Sequence, residues 1–338
     1  MRNEACGDVW KLWLYAAASV ALGAWISPLL YNAGKALAEV SVNKTTNGLL
    51  EWLAGVCRLA DFPRFYQAGL LIAAVVLFFP WMEWLQARRS VSVESGGGPW
   101  LLRLPSGAWI PEHGQPLQEN LRGLWHGCSG FLLVSGLLLP MGVALVPAGL
   151  FTLRYPAEGL GICALKILVA VVLPAVVMEV AFRGVAMGIF LRAMKPSTAL
   201  GMSAVFFALV LSVSPPPGVN VPDPEAAGTG FKLLGLVALH MADWQGLCGN
   251  FLPLLALGGV LAYARWRTAS LWLPIGLHTG WLFAKGMLGA LSGPDESLRP
   301  NLLIQQGLLP LVAIILAGVL AHYLTTDPTD ETESAARS

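Results

Sequence analysis

The apolar residues of this chain arrive in blocks of about twenty, the length at which an α-helix crosses the hydrocarbon core of a bilayer. Such blocks are too long for strands, and the period-2 alternation of a membrane barrel is weak here. In lipid every backbone N–H and C=O must be satisfied within the protein, so a bundle of helices remains. Composition agrees: 56% of the 338 residues are hydrophobic and 12% are charged, too little polar surface to cover a soluble domain. The expected class is all-α, a polytopic transmembrane bundle of about eight spans.

Those spans are placed at Leu12 to Leu30, Gln67 to Trp84, Leu124 to Leu150, Gly161 to Phe190, Ala199 to Val213, Phe251 to Tyr263, Leu271 to Leu288 and Leu303 to His322. The first follows Arg2 and Lys11, but Glu4 and Asp8 dilute that positive leader and the run has spanning length, so it reads as an uncleaved helix. Leu49 to Leu59, interrupted by Glu51 and Arg58, reads as amphipathic and not spanning. Ser90 to Asn120, with its glycine run at Gly96, Gly97 and Gly98, and Ser214 to Thr229, with three prolines from Pro215, read as solvated connections. The chain divides on this reading into N-terminal membrane helices (1–160, including the extramembrane loop 90–120), a core (161–292), a final transmembrane helix (293–326) and a disordered acidic tail (327–338).

The formal net charge of +1 leaves no basic field for nucleic acid. Charge position is more informative. Arg2 and Lys11, Arg88 and Arg89, Arg192 and Lys195, and Arg265 and Arg267 flank alternate spans, which places both termini in the cytoplasm, with Lys35, Lys44, Arg58 and Arg64 counting against that orientation. The expected location is a bacterial plasma membrane. Five scattered cysteines form neither a disulfide framework nor a zinc ribbon. The chain shows no internal repeat, which argues against an inverted-repeat transporter.

Ionisable groups inside spans are costly and point to function when a partner can be named. Three stand out: Glu179, Arg183 and His278. Glu179 and Arg183, four apart, share a helix face where carboxylate and guanidinium can pair. The bland alternative for them is an ion pair that fixes helix packing, and for His278 a hydrogen bond between helices. Gly184 and Gly188, four apart, fit a small-residue packing motif.

Met178-Glu179-Val180-Ala181-Phe182-Arg183-Gly184 resembles the Glu-Glu-x-x-Phe-Arg-Gly signature of the CPBP family of intramembrane proteases, the CAAX prenyl protease 2 and bacteriocin-processing (Abi-like) group. Ser203-Ala204-Val205-Phe206-Phe207-Ala208-Leu209-Val210-Leu211 resembles the second motif, Phe-x-x-x-His, preceded by small residues. Arg267-Thr268-Ala269-Ser270-Leu271-Trp272-Leu273-Pro274-Ile275 resembles the approach to the third, whose histidine would be His278. The resemblance covers about Leu165 to Lys285. It implies an endopeptidase in which the first glutamate of motif one and the histidine of motif two activate a water, while polar residues of motif three hold the oxyanion. The retained family positions are Glu179, Arg183 and His278.

The departures fall where protons must move. The resemblance asks for glutamate where Met178 stands, histidine where Leu211 stands, and asparagine or aspartate where Leu282 stands. A thioether and an isobutyl group neither give nor take a proton, and each lost acid or base removes roughly 10²- to 10⁴-fold in rate. Glu179 cannot stand in for residue 178 without a helix rotation of about 100°. No cofactor is assigned: a catalytic zinc needs about three protein ligands, and beyond His278 and Glu179 only His240 and Asp243 come into question. The sequence therefore reads as a catalytically impaired homologue that binds a membrane-associated peptide or protein partner in the bilayer. The alternatives are an active intramembrane endopeptidase and a small transporter or channel.

Overall fold

The computed structural model describes residues 2–43, 47–86, 116–147, 153, 155–216, 218–268, 270–291 and 308–325. The glycine run of the long loop and the acidic tail lie outside them. The described residues form α1 (Arg2–Asn43), α2 (Gly48–Leu59), α3 (Phe62–Gln86), α4 (Pro116–Val143), α5 (Leu160–Glu179), a π-helical segment (Val180–Ala186), α6 (Met187–Ala193), α7 (Pro196–Ser212), α8 (Thr229–Ala242), the single turn α9 (Trp244–Gly246), a second π segment (Leu247–Phe251), α10 (Leu252–Thr268), α11 (Trp272–Leu291) and α12 (Leu308–Thr325). The all-α polytopic class stands.

Five stretches among the described residues are long and apolar enough to cross a membrane: Cys6–Ser41, Phe62–Leu85, Gly123–Val143, Leu160–Ala193 and Leu247–Thr268. The count of eight is not reached by that criterion. Pro196–Ser212 and Pro310–Tyr323 are apolar but shorter. The 20-residue α11 has the length, but His278, Thr279 and Lys285 interrupt its apolar run. Two expected boundaries also move: α4 begins at Pro116, inside the stretch read as loop, and ends at Val143 instead of continuing to Leu150.

The chain forms two compact units, residues 1–96 with 209–247 and residues 97–208 with 248–338. In the first, α1 and α3 run antiparallel, and Gly23 and Gly69 let their backbones approach. A Cβ at Gly23 would lie 2.6 Å from the Leu70 Cα, and one at Gly69 would lie 2.8 Å from the Gly23 carbonyl oxygen. Gly230 brings α8 equally close to α1 beside Ala24. Ala24, Phe62, Tyr66, Leu233 and Val237 make the core of this unit. Val219 and Val221 pack on that core and Thr229 is fully buried, so the Ser214 to Thr229 connection is a folded loop and not simply solvated. Its prolines restrict the chain while its valines supply apolar surface to bury.

Helix α2 is amphipathic, as its interrupted pattern indicates. Asn47 caps its start, Oδ1 accepting from the Leu50 N–H at 3.1 Å. Its far end is closed by Lys35 of α1, whose ammonium donates to the carbonyls of Cys57, Arg58 and Ala60 at 3.1, 3.2 and 2.7 Å. These are orphan carbonyls at the negative end of the helix dipole. Leu49, Trp52, Val56 and Leu59 remain exposed along one side, the arrangement of a helix lying in the membrane interface. Lys35 is therefore committed to a helix end.

In the second unit α4 and α11 run parallel along a glycine seam. A Cβ at Gly276 would fall 2.0 Å from the Gly127 carbonyl oxygen, and one at Gly280 would fall 2.6 Å from that of Phe131. Gly184, expected to serve such a seam, does not: a Cβ there would meet nothing nearer than 3.9 Å. The close approach is carried by α4 and α11, and it turns the His278 face of α11 inward.

Lys35→Met should lower stability by about 1–3 kcal/mol, the range for stripping a charged donor from carbonyls, read as a shift in thermal unfolding in detergent. Gly276→Val should cost about 3 kcal/mol through overpacking, whereas Gly136→Ala on α4, with open space at its Cβ, should be neutral or slightly stabilising.

Candidate functional site

The site grows from the turn that joins α5 to α6. Ala175, Glu179, Arg183 and Met187 are all buried, at strict four-residue steps. In a straight α-helix each such step drifts by about 40° around the axis. The π segment from Val180 to Ala186 widens the turn, its ladder closing from the Met187 N–H to the Phe182 carbonyl, and offsets that drift. Glu179 and Arg183 consequently both face inward. Met178 is only half-buried, so the carboxylate that enters the core belongs to residue 179.

Glu179 Oε1 is the hub. It accepts from Arg183 Nη1 at 3.1 Å and from His278 Nδ1 at 2.6 Å. An ionised carboxylate only accepts, so Nδ1 carries the proton in this pair and Nε2 is the ring's other, acceptor nitrogen in the neutral tautomer. Arg183 Nη2 donates to the Gly258 carbonyl at 3.2 Å. The side chains of Glu179 and Arg183 are 0% exposed and that of His278 is 2% exposed, which removes water as a competing partner. Burying such charges costs several kcal/mol per ion unless geometry and hydrogen bonds offset it, and the shared oxygen supplies that offset.

Aromatic and small residues shape the surroundings. Phe207 of α7 lies under the Arg183 guanidinium, 4.1 Å from ring centroid to guanidinium carbon, and meets the His278 ring edge-on at 5.8 Å. Gly258 of α10 permits this layering: a Cβ there would sit 3.1 Å from the Ala204 backbone and from the Phe207 ring. Among the described residues, Glu179 Oε2, Arg183 Nε and Ser203 Oγ are buried without a hydrogen-bond partner.

Of the residues singled out from sequence, Glu179, Arg183 and His278 come together. Met178 precedes the carboxylate at a half-buried position, and Leu282 is half-buried one turn beyond His278. Leu211 follows Phe207 by one turn of α7 but is counted with the other compact unit, as are His240 and Asp243. Gly258 and Phe207 were not foreseen as partners of Arg183. A paired glycine at Gly258 and Gly259 inside an apolar helix was the available signal for the first, and nothing in spacing marks the second. For a metal, the donors fit poorly: no group of three His, Cys, Asp or Glu occurs among the described residues, and one oxygen of Glu179 is already engaged twice.

A buried carboxylate and guanidinium on one apolar helix meet an imidazole from a second, making a polar core inside the bundle. Residues 160–284 match the family model for the type II CAAX prenyl endopeptidase, Rce1-like, a little over a third of the chain and the segment that carries all three groups. That segment is similar to the CPBP family of intramembrane proteases. No curated protein and no solved structure matches the chain.

Glu179→Gln should destabilise the protein by about 3–5 kcal/mol, the cost of leaving Arg183 buried without its counter-charge. Removing both charges, Glu179→Leu with Arg183→Met, should recover most of that loss. A thermal-unfolding double-mutant cycle reads the difference as a coupling energy.

Proposed function

We propose that this protein is a catalytically impaired CPBP-family endopeptidase homologue that engages a membrane-associated peptide or protein within the bilayer without efficiently cleaving it. The observation that carries this reading is the double engagement of Glu179 Oε1 by Arg183 and His278. For that oxygen to take a proton from water, two hydrogen bonds of a buried ion network must give way. The positions at which the family pattern supplies a free acid and base hold Met178 and Leu211, neither of which can handle a proton. Ground-state binding needs no proton transfer, so a membrane cavity can survive the loss of chemistry.

Orientation follows from charge. The cations at Arg192, Lys195, Arg265 and Arg267 mark the cytoplasmic ends of their helices, with both termini on that side.

A second reading, an active endopeptidase, draws support from Glu179 Oε2, a buried carboxylate oxygen with no donor among the described residues. Together with the imidazole 2.6 Å from Oε1, it has the makings of an acid–base pair that could orient a water.

The test is peptide cleavage in proteoliposomes with photo-crosslinking to the same peptide library. The expected result is crosslinking with no hydrolysis above that of a Glu179→Ala, His278→Ala double variant. Met178→Glu combined with Leu211→His should raise hydrolysis by about 10²-fold or more if the missing groups are the defect. Turnover by the unaltered protein that is abolished by Glu179→Ala would establish the second reading.

A further inference from the structure

The π turn leaves a backbone carbonyl over. The Met187 N–H pairs five residues back, with the Phe182 carbonyl, and the Met194 N–H pairs four back, with that of Phe190. Between these two bonds the seven carbonyls of residues 183 to 189 face the six N–H groups of residues 188 to 193. In a one-to-one ladder, one carbonyl of that stretch is passed over and must find its donor elsewhere. The same turn holds a nitrogen with the opposite need. Arg183 gives Nη1 to Glu179 and Nη2 to the Gly258 carbonyl, while Nε is buried without an acceptor among the described residues.

A cleft is lined by this same stretch. Arg183, Gly184, Met187 and Gly188 form its walls on the side of the π turn and α6, and Arg265 closes it from α10. It has about 20 Å³ of room, enough for one water molecule and too little for a larger ligand. A donor lacking an acceptor and an acceptor lacking a donor, beside a space of that size, are what a single water satisfies: its oxygen accepts from an N–H and its own hydrogens go to a carbonyl. Arg265 offers further N–H groups to the same oxygen. We propose that the cleft is the binding site of one structural water, which accepts from Arg183 Nε and donates to the carbonyl that the π turn passes over. The water gives Nε its acceptor and so holds the guanidinium in place on the side away from Glu179. This role is independent of whether the protein hydrolyses peptides.

Two measurements on the full chain test it. The first is an experimental structure at a resolution that shows ordered water. Density for one water is expected within about 3.2 Å of Arg183 Nε and of a carbonyl oxygen in the stretch 183 to 189. The second is thermal unfolding of Gly184→Ala in detergent, which has a sign that separates a wet cleft from a dry one. A Cβ at Gly184 meets nothing nearer than 3.9 Å, so the methyl group takes up room without a clash. In a dry cleft the substitution raises the unfolding midpoint, because alanine is the better helix former. In a cleft that holds the water it lowers the midpoint by a few degrees, because Arg183 Nε and the carbonyl both lose their partner. Gly136→Ala, at an open position on α4 outside the cleft, should not lower it. A midpoint that is unchanged or raised in Gly184→Ala, or a resolved cleft in the unaltered protein with no water on Nε, would overturn the proposal.

Discussion

One carboxylate oxygen organises the second unit of this protein. Glu179 Oε1 receives a guanidinium from its own helix and an imidazole from α11, in a setting from which water is excluded. Each of these groups alone would be a heavy liability among apolar helices. Together they fix the facing of α5 and α11, and through Arg183 the Gly258 carbonyl fixes α10 as well. The wider π turn after Glu179 and the glycine seam between α4 and α11 are what let these groups reach one another.

The same arrangement bears on chemistry. A hydrolase must present a base that is free to accept a proton at the moment water attacks. Here one oxygen of the inward carboxylate is already serving two donors, and the adjacent position that the family pattern fills with a glutamate carries a half-buried thioether. Stability and catalysis therefore compete for Glu179. The binding role proposed above asks only for ground-state contact, in which no proton need move.

The two units use glycine for a common purpose. In both, backbone-to-backbone approach is set by glycines that face a neighbouring helix, at Gly23, Gly69 and Gly230 in one and at Gly276 and Gly280 in the other. In lipid, where apolar contact between helices gains little over contact with acyl chains, such close packing is a main source of association. Gly184 serves a different end. It leaves open space beside Arg183.

Sequence by itself determined the helical membrane class, because blocks of apolar residues of spanning length leave the backbone no other way to satisfy its hydrogen bonds. It also determined the pairing of Glu179 with Arg183, a four-residue spacing on one helix, and the chemistry missing at Met178 and Leu211, because side-chain type decides whether a proton can be carried. Other features waited for tertiary structure. His278 lies 99 residues from Glu179, and no local periodicity encodes a contact over that distance. Which glycines form a seam depends on which helix lies opposite, so Gly184 and Gly188 looked as suitable as Gly276 and Gly280. The Arg183 contact with the Gly258 carbonyl exists only once helices from distant parts of the chain are packed, because it is a property of the space between elements and not of either one.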